Sequence, residues 1–262
     1  MTTVRNPARE RLEAGELALG VGLRQARTVD IGPVMKACGF DYLFIDLEHN
    51  TMNLDMAAQI SVAAHLAGIA PIVRVPGFDR HLATRVLDGG AMGVVVPHVD
   101  TAEQAAEIVA ACKYPPVGHR SVTGMLSQTG FARLPMGETT EIINAATLVV
   151  MMVETPAAVE NVEAIAATPG LDVLLVGTND LCVEMGIPGD VGNPRVAEAY
   201  ERVIAACRAN DVWPGLGGVY DPPLMERYIA MGMRFILAGN DITLMMAAAG
   251  ERAATLRGFH VG

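Results

Sequence analysis

Glu154 and Asp180 each close a hydrophobic run of strand length. Leu148 to Val153 leads into Glu154, and Val173 to Val176 leads into Gly177-Thr178-Asn179-Asp180. The spacing between them predicts one helix, with Thr155 as N-cap, Pro156 at its first position, Val159, Val162 and Ile165 on one face, and Pro169-Gly170 as its stop. Such a βαβ unit makes the two strands parallel, so both acids arrive at the same end of a sheet. A carboxylate pair there can hold a hard divalent cation. From spacing alone the two acids can equally be strand-end helix caps, and that alternative stays open. The Gly177-Thr178-Asn179-Asp180 turn also presents backbone N–H groups that can take carboxylate or phosphate oxygens.

Two other segments carry chemistry. In Ile45-Asp46-Leu47-Glu48-His49-Asn50 the two acids share a face and His49 opens the following loop. A carboxylate beside a histidine supports the imidazolium, which makes this an acid/base candidate; alternatively His49 only contacts the next helix. Arg74 lies inside the run PIVRVP, where an arginine must be paired or face a polar cavity. It is the cation expected to face an anionic ligand, or else it neutralises Asp46 or Glu48. His65, His81, His98, His119 and His260 read as surface or packing residues, with His98 and His119 near mouth loops. The chain has only two lysines, Lys36 and Lys113, and neither falls on a strand-like run. A Schiff base needs a desolvated amine at the substrate carbonyl, so an oxo acid handled here would be polarised by a metal.

These residues need a scaffold that brings strand ends together. Eight strand-like runs alternate with helical patterns: Leu17 to Leu23, Tyr42 to Leu47, Ala70 to Val75, Gly93 to Val99, Leu148 to Val153, Val173 to Val176, Trp213 to Val219, and Arg234 to Ala238. Most are continuous apolar stretches, as in strands buried on both faces. The long gap after the fourth run predicts an added loop, and the sixth-to-seventh gap holds the turn IPGDVGNP. At 262 residues the expectation is an α/β fold, a single (β/α)8 TIM barrel over residues 1–262, with an open doubly wound sheet as the alternative.

Composition narrows the partners. The formal net charge is −10, and no basic block interrupts it, which argues against nucleic acid and anionic membranes. Cys38, Cys112, Cys182 and Cys207 are scattered without CxxC, and no secretory signal is evident, so reduced thiols in a cytoplasmic, soluble protein without structural zinc are expected. No apolar run approaches the roughly 18 residues of a membrane span.

GFDYLFIDLEHN (Gly39 to Asn50), PIVRVP (Pro71 to Pro76), LDGGAMGVVVPHV (Leu87 to Val99), KYPPVGHRSV (Lys113 to Val122), ETPAAVENVEAI and LLVGTNDLCVEMG follow one another in an order that resembles the metal-dependent class II pyruvate aldolases. These include 4-hydroxy-2-oxoheptanedioate aldolase and 2-keto-3-deoxy-sugar-acid aldolases. Asn6-Pro7, Ala14-Gly15 and Leu19-Gly20 look like the family start, so the resemblance covers nearly the whole chain. It implies Glu154 and Asp180 as ligands of Mg2+, Mn2+ or Co2+, Arg74 on the pyruvate oxygens, His49 supported by Asp46 at the aldol hydroxyl, and the amides of Gly177, Thr178, Asn179 and Asp180 around the carboxylate. It also implies a homo-hexamer that exchanges the C-terminal helix, a role suited to Leu244 to Ala254.

The implied activity is reversible aldol addition of pyruvate or hydroxypyruvate to an aldehyde, through an enolate, giving 4-hydroxy-2-oxo acids. A citryl- or malyl-CoA-type lyase and a non-catalytic oxo-acid-binding barrel are the alternatives. Two departures stand out: Gly177-Thr178-Asn179-Asp180 replaces the common Gly-Pro-Ala-Asp, and Leu47-Glu48-His49 replaces Gly-Glu-His. The first is expected to add a hydroxyl and an amide near the carboxylate cradle. Arg120, Ser121 and Leu216 carry no assigned role.

Overall fold

The computed structural model describes residues 4–260, so both ends of the expected 1–262 domain lie outside the described residues. Eight parallel strands close in sequence order into a (β/α)8 barrel: β1 (Ala18–Leu23), β2 (Tyr42–Asp46), β3 (Ala70–Arg74), β4 (Gly93–Val96), β5 (Leu148–Val153), β6 (Val173–Gly177), β7 (Trp213–Gly217) and β8 (Phe235–Asn240). Strand alternation sorts the side chains into two apolar cores. Tyr42, Phe44, Ile72, Val150, Leu175 and Phe235 pack inside the barrel, whereas Leu43, Ile45, Val73, Val149 and Leu174 pack outward beneath the helices. The interior fits closely. Tyr42 stacks on Phe235 with ring centroids 4.3 Å apart, and a Cβ on Gly20 would fall 2.0 Å from the Tyr42 ring.

The inward phase of the strands decides which polar residues reach the mouth. Tyr42, Phe44 and Asp46 alternate on β2, and Ala70, Ile72 and Arg74 on β3; Asp46 and Arg74 are register partners at the C-terminal ends. On β5 the same phase continues from Val150 through Met152 to Glu154, and on β6 from Leu175 to Gly177.

Local structure departs from the sequence expectation in two places that flank the site. The fourth strand stops at Val96 rather than Val99, because Pro97 offers no N–H and His98 takes a left-handed φ of 54°. The single helix expected between β5 and β6 is two short ones, Pro156–Glu160 and Val162–Ala166. The break falls at Asn161, whose amide donates to the Asp100 carbonyl at 2.8 Å and draws the chain toward the loop after β4. Thr155 is the expected N-cap, accepting from Ala158 N at 3.0 Å. The long gap before β5 is only partly loop, since it holds the helices Ala102–Cys112 and Met136–Ala146.

The opposite face of the barrel is held by polar groups that are unavailable for chemistry at the mouth. The side-chain amide of Asn6 donates to the Met92 and Ala146 carbonyls, at 3.1 and 2.7 Å. Buried Lys113 donates to the Asn144 and Thr147 carbonyls and pairs with Asp172 at 3.1 Å, next to the N-terminal ends of β5 and β6. Lys36 sits on an outer helix, exposed. The four cysteines are free, and three of them are buried. No helix among the described residues is long and apolar enough to cross a membrane. The final helix, Asp241–Arg257, touches its own barrel through the buried Asp241 and otherwise leaves Leu244, Met245, Met246 and Leu256 exposed.

Candidate active site

The pocket at the C-terminal mouth is lined by Asp46, His49, Arg74, Gly177, Asn179 and Asp180, and Arg24, Tyr220 and Asn240 complete its wall. It therefore gathers residues singled out at three separate strand ends, those of β2, β3 and β6, while Glu154 at the end of β5 lies buried against Gly177. Arg74 is the centre of its charge. Its Nε donates to Asp46 Oδ1 at 3.0 Å, Nη2 donates to Asp46 Oδ2 at 2.7 Å, and Nη1 lies 2.9 Å from Glu48 Oε2. Arg74 lines the pocket and neutralises Asp46 and Glu48, the second of the two alternatives read for it. A guanidinium carries five N–H donors, and two of them are bonded to Asp46, so donors remain for another oxygen.

Asp46 is not placed beside the His49 ring, contrary to the sequence expectation. Its Oδ1 accepts the backbone N–H of Glu48 at 3.0 Å and of His49 at 3.1 Å, so it shapes the turn that carries the imidazole. Burial would raise the Asp46 carboxyl, but the Arg74 guanidinium and these two amides hold it below the usual carboxylate range. The acid facing the ring is Glu48, with 3.9 Å between Glu48 Oε2 and His49 Nε2. The two residues are neighbours on the turn, whereas the β2–β3 register commits Asp46 to Arg74.

Glu154 is 1% exposed and lies directly against β6. A Cβ on Gly177 would stand 2.5 Å from Glu154 Oε1, so glycine is required there to leave room for this carboxylate. Oε2 accepts the backbone N–H of His98 at 2.8 Å. Burial pushes the Glu154 carboxyl up to about 7; the His98 amide and ring act to lower it, while the charges of Asp180 and Glu48 add to the rise. An acid held in the neutral range by burial and by two neighbouring acids fits a site that a divalent cation would relieve. Among the described residues no third His, Cys, Asp or Glu joins to form a three-ligand cage, so Glu154 and Asp180 would leave most coordination positions to water and substrate.

The sequence reading missed His98. Its left-handed backbone turns the ring inward, with Nδ1 3.4 Å from Glu154 Oε2 and Nε2 3.7 Å from Glu48 Oε1. The available signal was its place just beyond β4 after a proline. Thr178 corrects a second expectation. It still lines the pocket, but its buried hydroxyl donates to the Gly217 carbonyl at 2.6 Å and lies 2.6 Å from the Tyr200 hydroxyl, so the hydroxyl braces β6 against β7 and is not offered to a carboxylate. Asn179 remains at the pocket surface. Arg120 is buried away from the mouth, bonded to Asp88 at 2.6 Å and stacked over Tyr114.

The model of the family described as HpcH/HpaI aldolase/citrate lyase matches residues 25–248. The chain belongs to that family. Among its relatives in the HpcH/HpaI family is the 4-hydroxy-4-methyl-2-oxoglutarate aldolase of Chaetomium globosum, 39% identical over 93% of this chain and 92% of the relative. The 2-keto-3-deoxy-L-rhamnonate aldolase of Klebsiella pneumoniae is 34% identical over 96% of this chain and 93% of its own length. A solved HpcH/HpaI aldolase from Desulfitobacterium hafniense superimposes with a TM-score of 0.90 at 29% identity, covering 96% of this chain and 97% of that one. These named relatives are aldolases, that is, carbon–carbon lyases.

Proposed function

We propose that this protein is a divalent-cation-dependent aldolase that adds pyruvate or hydroxypyruvate reversibly to an acceptor carbonyl, giving 4-hydroxy-2-oxo acids. The observation that carries the reading is that Asp180 and Arg74 line one mouth pocket, with Glu154 buried against Gly177 and in the field of both, in a chain whose family members are named aldolases. Glu154 and Asp180 would hold Mg2+, Mn2+ or Co2+. When bound, such an ion supplies Lewis-acid polarisation of the 2-oxo group and so eases proton loss from the adjacent carbon. The N–H donors of Arg74 that Asp46 does not take stabilise the oxygen on which negative charge develops. The backbone N–H groups from Gly177 to Asp180 bind and orient the substrate carboxylate. In the cleavage direction His49, with Glu48 3.9 Å from its ring, accepts the 4-hydroxyl proton; in synthesis the same proton returns to the alkoxide. Asp46 acts on this step through the His49 backbone and through Arg74, a positioning role.

The proposal extends to assembly and location. The exposed apolar helix Asp241–Arg257 suits exchange between copies of this chain in a hexamer, and four free cysteines suit a reducing, cytoplasmic setting.

Exchange of the pyruvate methyl protons in deuterated water tests the reaction without an acceptor. Exchange should require a divalent ion, stop with EDTA, and fall strongly in Asp180→Asn, which keeps side-chain shape but loses the charge that a hard cation needs. Borohydride with pyruvate should leave the protein unlabelled. Exchange that survives chelation, or a covalent adduct on Lys36 or Lys113, overturns the cation reading.

A further inference from the structure

A second groove adjoins the pocket and shares Arg24 and His49 with it. Its remaining wall includes Arg27, Asn50 and Thr51, and no carboxylate lines it. This is unusual ground in a chain of net charge −10. Arg24 follows β1 in the inward phase of Ala18, Gly20 and Gly22, which aims it over the mouth. Its Nη2 donates to the His49 carbonyl at 3.2 Å, placing the guanidinium beside the residue that handles the aldol hydroxyl. Arg27 Nη1 donates to the Arg24 and Ala26 carbonyls, both at 3.1 Å, and its Nη2 donates to Asn50 Oδ1 at 3.3 Å. Neither arginine has a carboxylate partner among the described residues. Arg74, by contrast, is committed to Asp46 and Glu48.

The loop that carries the pair is held firmly. Asp241, 9% exposed, accepts the backbone N–H groups of Arg24, Gln25 and Ala26 at 2.9, 2.8 and 2.7 Å. Across the pocket, burial raises the Tyr220 phenol, and the charges of Arg74 and Arg24 both act to lower it, so this hydroxyl lies in the field of both guanidinium groups. A donor carboxylate is already provided for on the Gly177 to Asp180 side, which leaves Arg24 and Arg27 facing the half of the substrate that departs.

We propose that Arg24 and Arg27 form a subsite for a carboxylate on the acceptor, so that the natural acceptor is an anionic oxo acid rather than a neutral aldehyde. This rests on the aldolase reading and specifies its substrate class. A 4-hydroxy-2-oxo dicarboxylate such as 4-hydroxy-4-methyl-2-oxoglutarate fits: breaking its C3–C4 bond, with loss of the 4-hydroxyl proton and protonation at C3, gives two molecules of pyruvate.

The test compares cleavage of 4-hydroxy-4-methyl-2-oxoglutarate with cleavage of 4-hydroxy-2-oxovalerate, which shares the donor half but releases neutral acetaldehyde. The wild type should favour the dicarboxylate in kcat/KM. Loss of charge-assisted hydrogen bonds in Arg24→Gln/Arg27→Gln should reduce that preference by about 10- to 100-fold, mainly through KM, and Arg24→Lys should retain most of it. Both substrates are measured on one sample, so the ratio does not depend on the folded fraction. A purely structural role through the His49 carbonyl would instead lower kcat for both substrates and leave the ratio in place, which overturns the proposal. So does a wild type that favours 4-hydroxy-2-oxovalerate. Intact pyruvate proton exchange with an unchanged ratio removes the subsite alone, whereas absent exchange in the wild type removes the aldolase reading and the subsite together.

Discussion

Replacing Glu154 with glutamine should stabilise the cation-free protein above neutral pH, because the native carboxylate is held where its charge is disfavoured. Burial, aided by the charges of Asp180 and Glu48, pushes this group up to about 7 from an ordinary value of 4.5. A carboxyl with a raised folded-state pKa contributes stability that is fully present below about 4.5 and is lost as pH rises through about 7. At 1.36 kcal/mol per pH unit, the gap between those values makes the wild type about 3 kcal/mol less stable at pH 8 than if the group titrated normally. For a chain of this size that corresponds to roughly 6–12 °C in Tm. Glutamine keeps an oxygen able to accept the His98 N–H, so the local geometry has no reason to collapse. Thermal melts in EDTA should show Glu154→Gln above wild type by roughly that margin at pH 8 and by much less at pH 5. Adding Mn2+ at pH 8 should raise the wild type and leave the variant nearly unmoved. Parallel Tm profiles for the two proteins between pH 5 and 8 would refute the argument, since they would mean that Glu154 ionises without cost in the empty site.

His49→Ala should lower kcat for aldol cleavage by about 100-fold or more while cation-dependent proton exchange of pyruvate continues, as measured by steady-state kinetics and NMR; equal losses in both assays would assign His49 to binding instead. Thr178→Val should cost about 1–3 kcal/mol, read as a lower Tm, because the Gly217 carbonyl and the Tyr200 hydroxyl each lose a buried partner, and Thr178→Ser should restore most of it.

Strand phase explains how much of the site was legible beforehand. Apolar runs ending in polar residues located all eight strands, and the period of two then pointed Asp46, Arg74 and Glu154 toward one mouth once the barrel closed. The pairing of Arg74 with Asp46 or Glu48 was legible as an alternative, but the partner of the His49 ring was not, because it depends on register between strands. Asp46 and His49 are three residues apart, yet the β2–β3 register gives the Asp46 carboxylate to Arg74 and leaves Glu48 facing the ring. Backbone conformation hid the rest. His98 reaches Glu154 only because its φ is 54°, and the Thr178 hydroxyl turns to Tyr200 and Gly217 because the first residue after β6 already points into the barrel wall.

The same geometry gives the acids at the mouth different protonation behaviour. Asp46 is bracketed by a guanidinium and two amides and stays charged across the working pH range. Glu154 has one amide and a histidine, sees Asp180 and Glu48 as like charges, and titrates near neutrality. On the ends of β2, β3, β5 and β6 the arginine is Arg74, and its two hydrogen bonds to Asp46 and its ion pair with Glu48 hold it on the β2–β3 side of the mouth. The β5–β6 side is therefore left with two carboxylates that, among the described residues, have no arginine or lysine within ion-pair distance. That asymmetry supports the proposed cation at Glu154 and Asp180 more than the identity of the two acids does. Moving Arg74 to lysine would test it from the other side, since a compact ammonium cannot bond both oxygens of Asp46 and reach Glu48 at once.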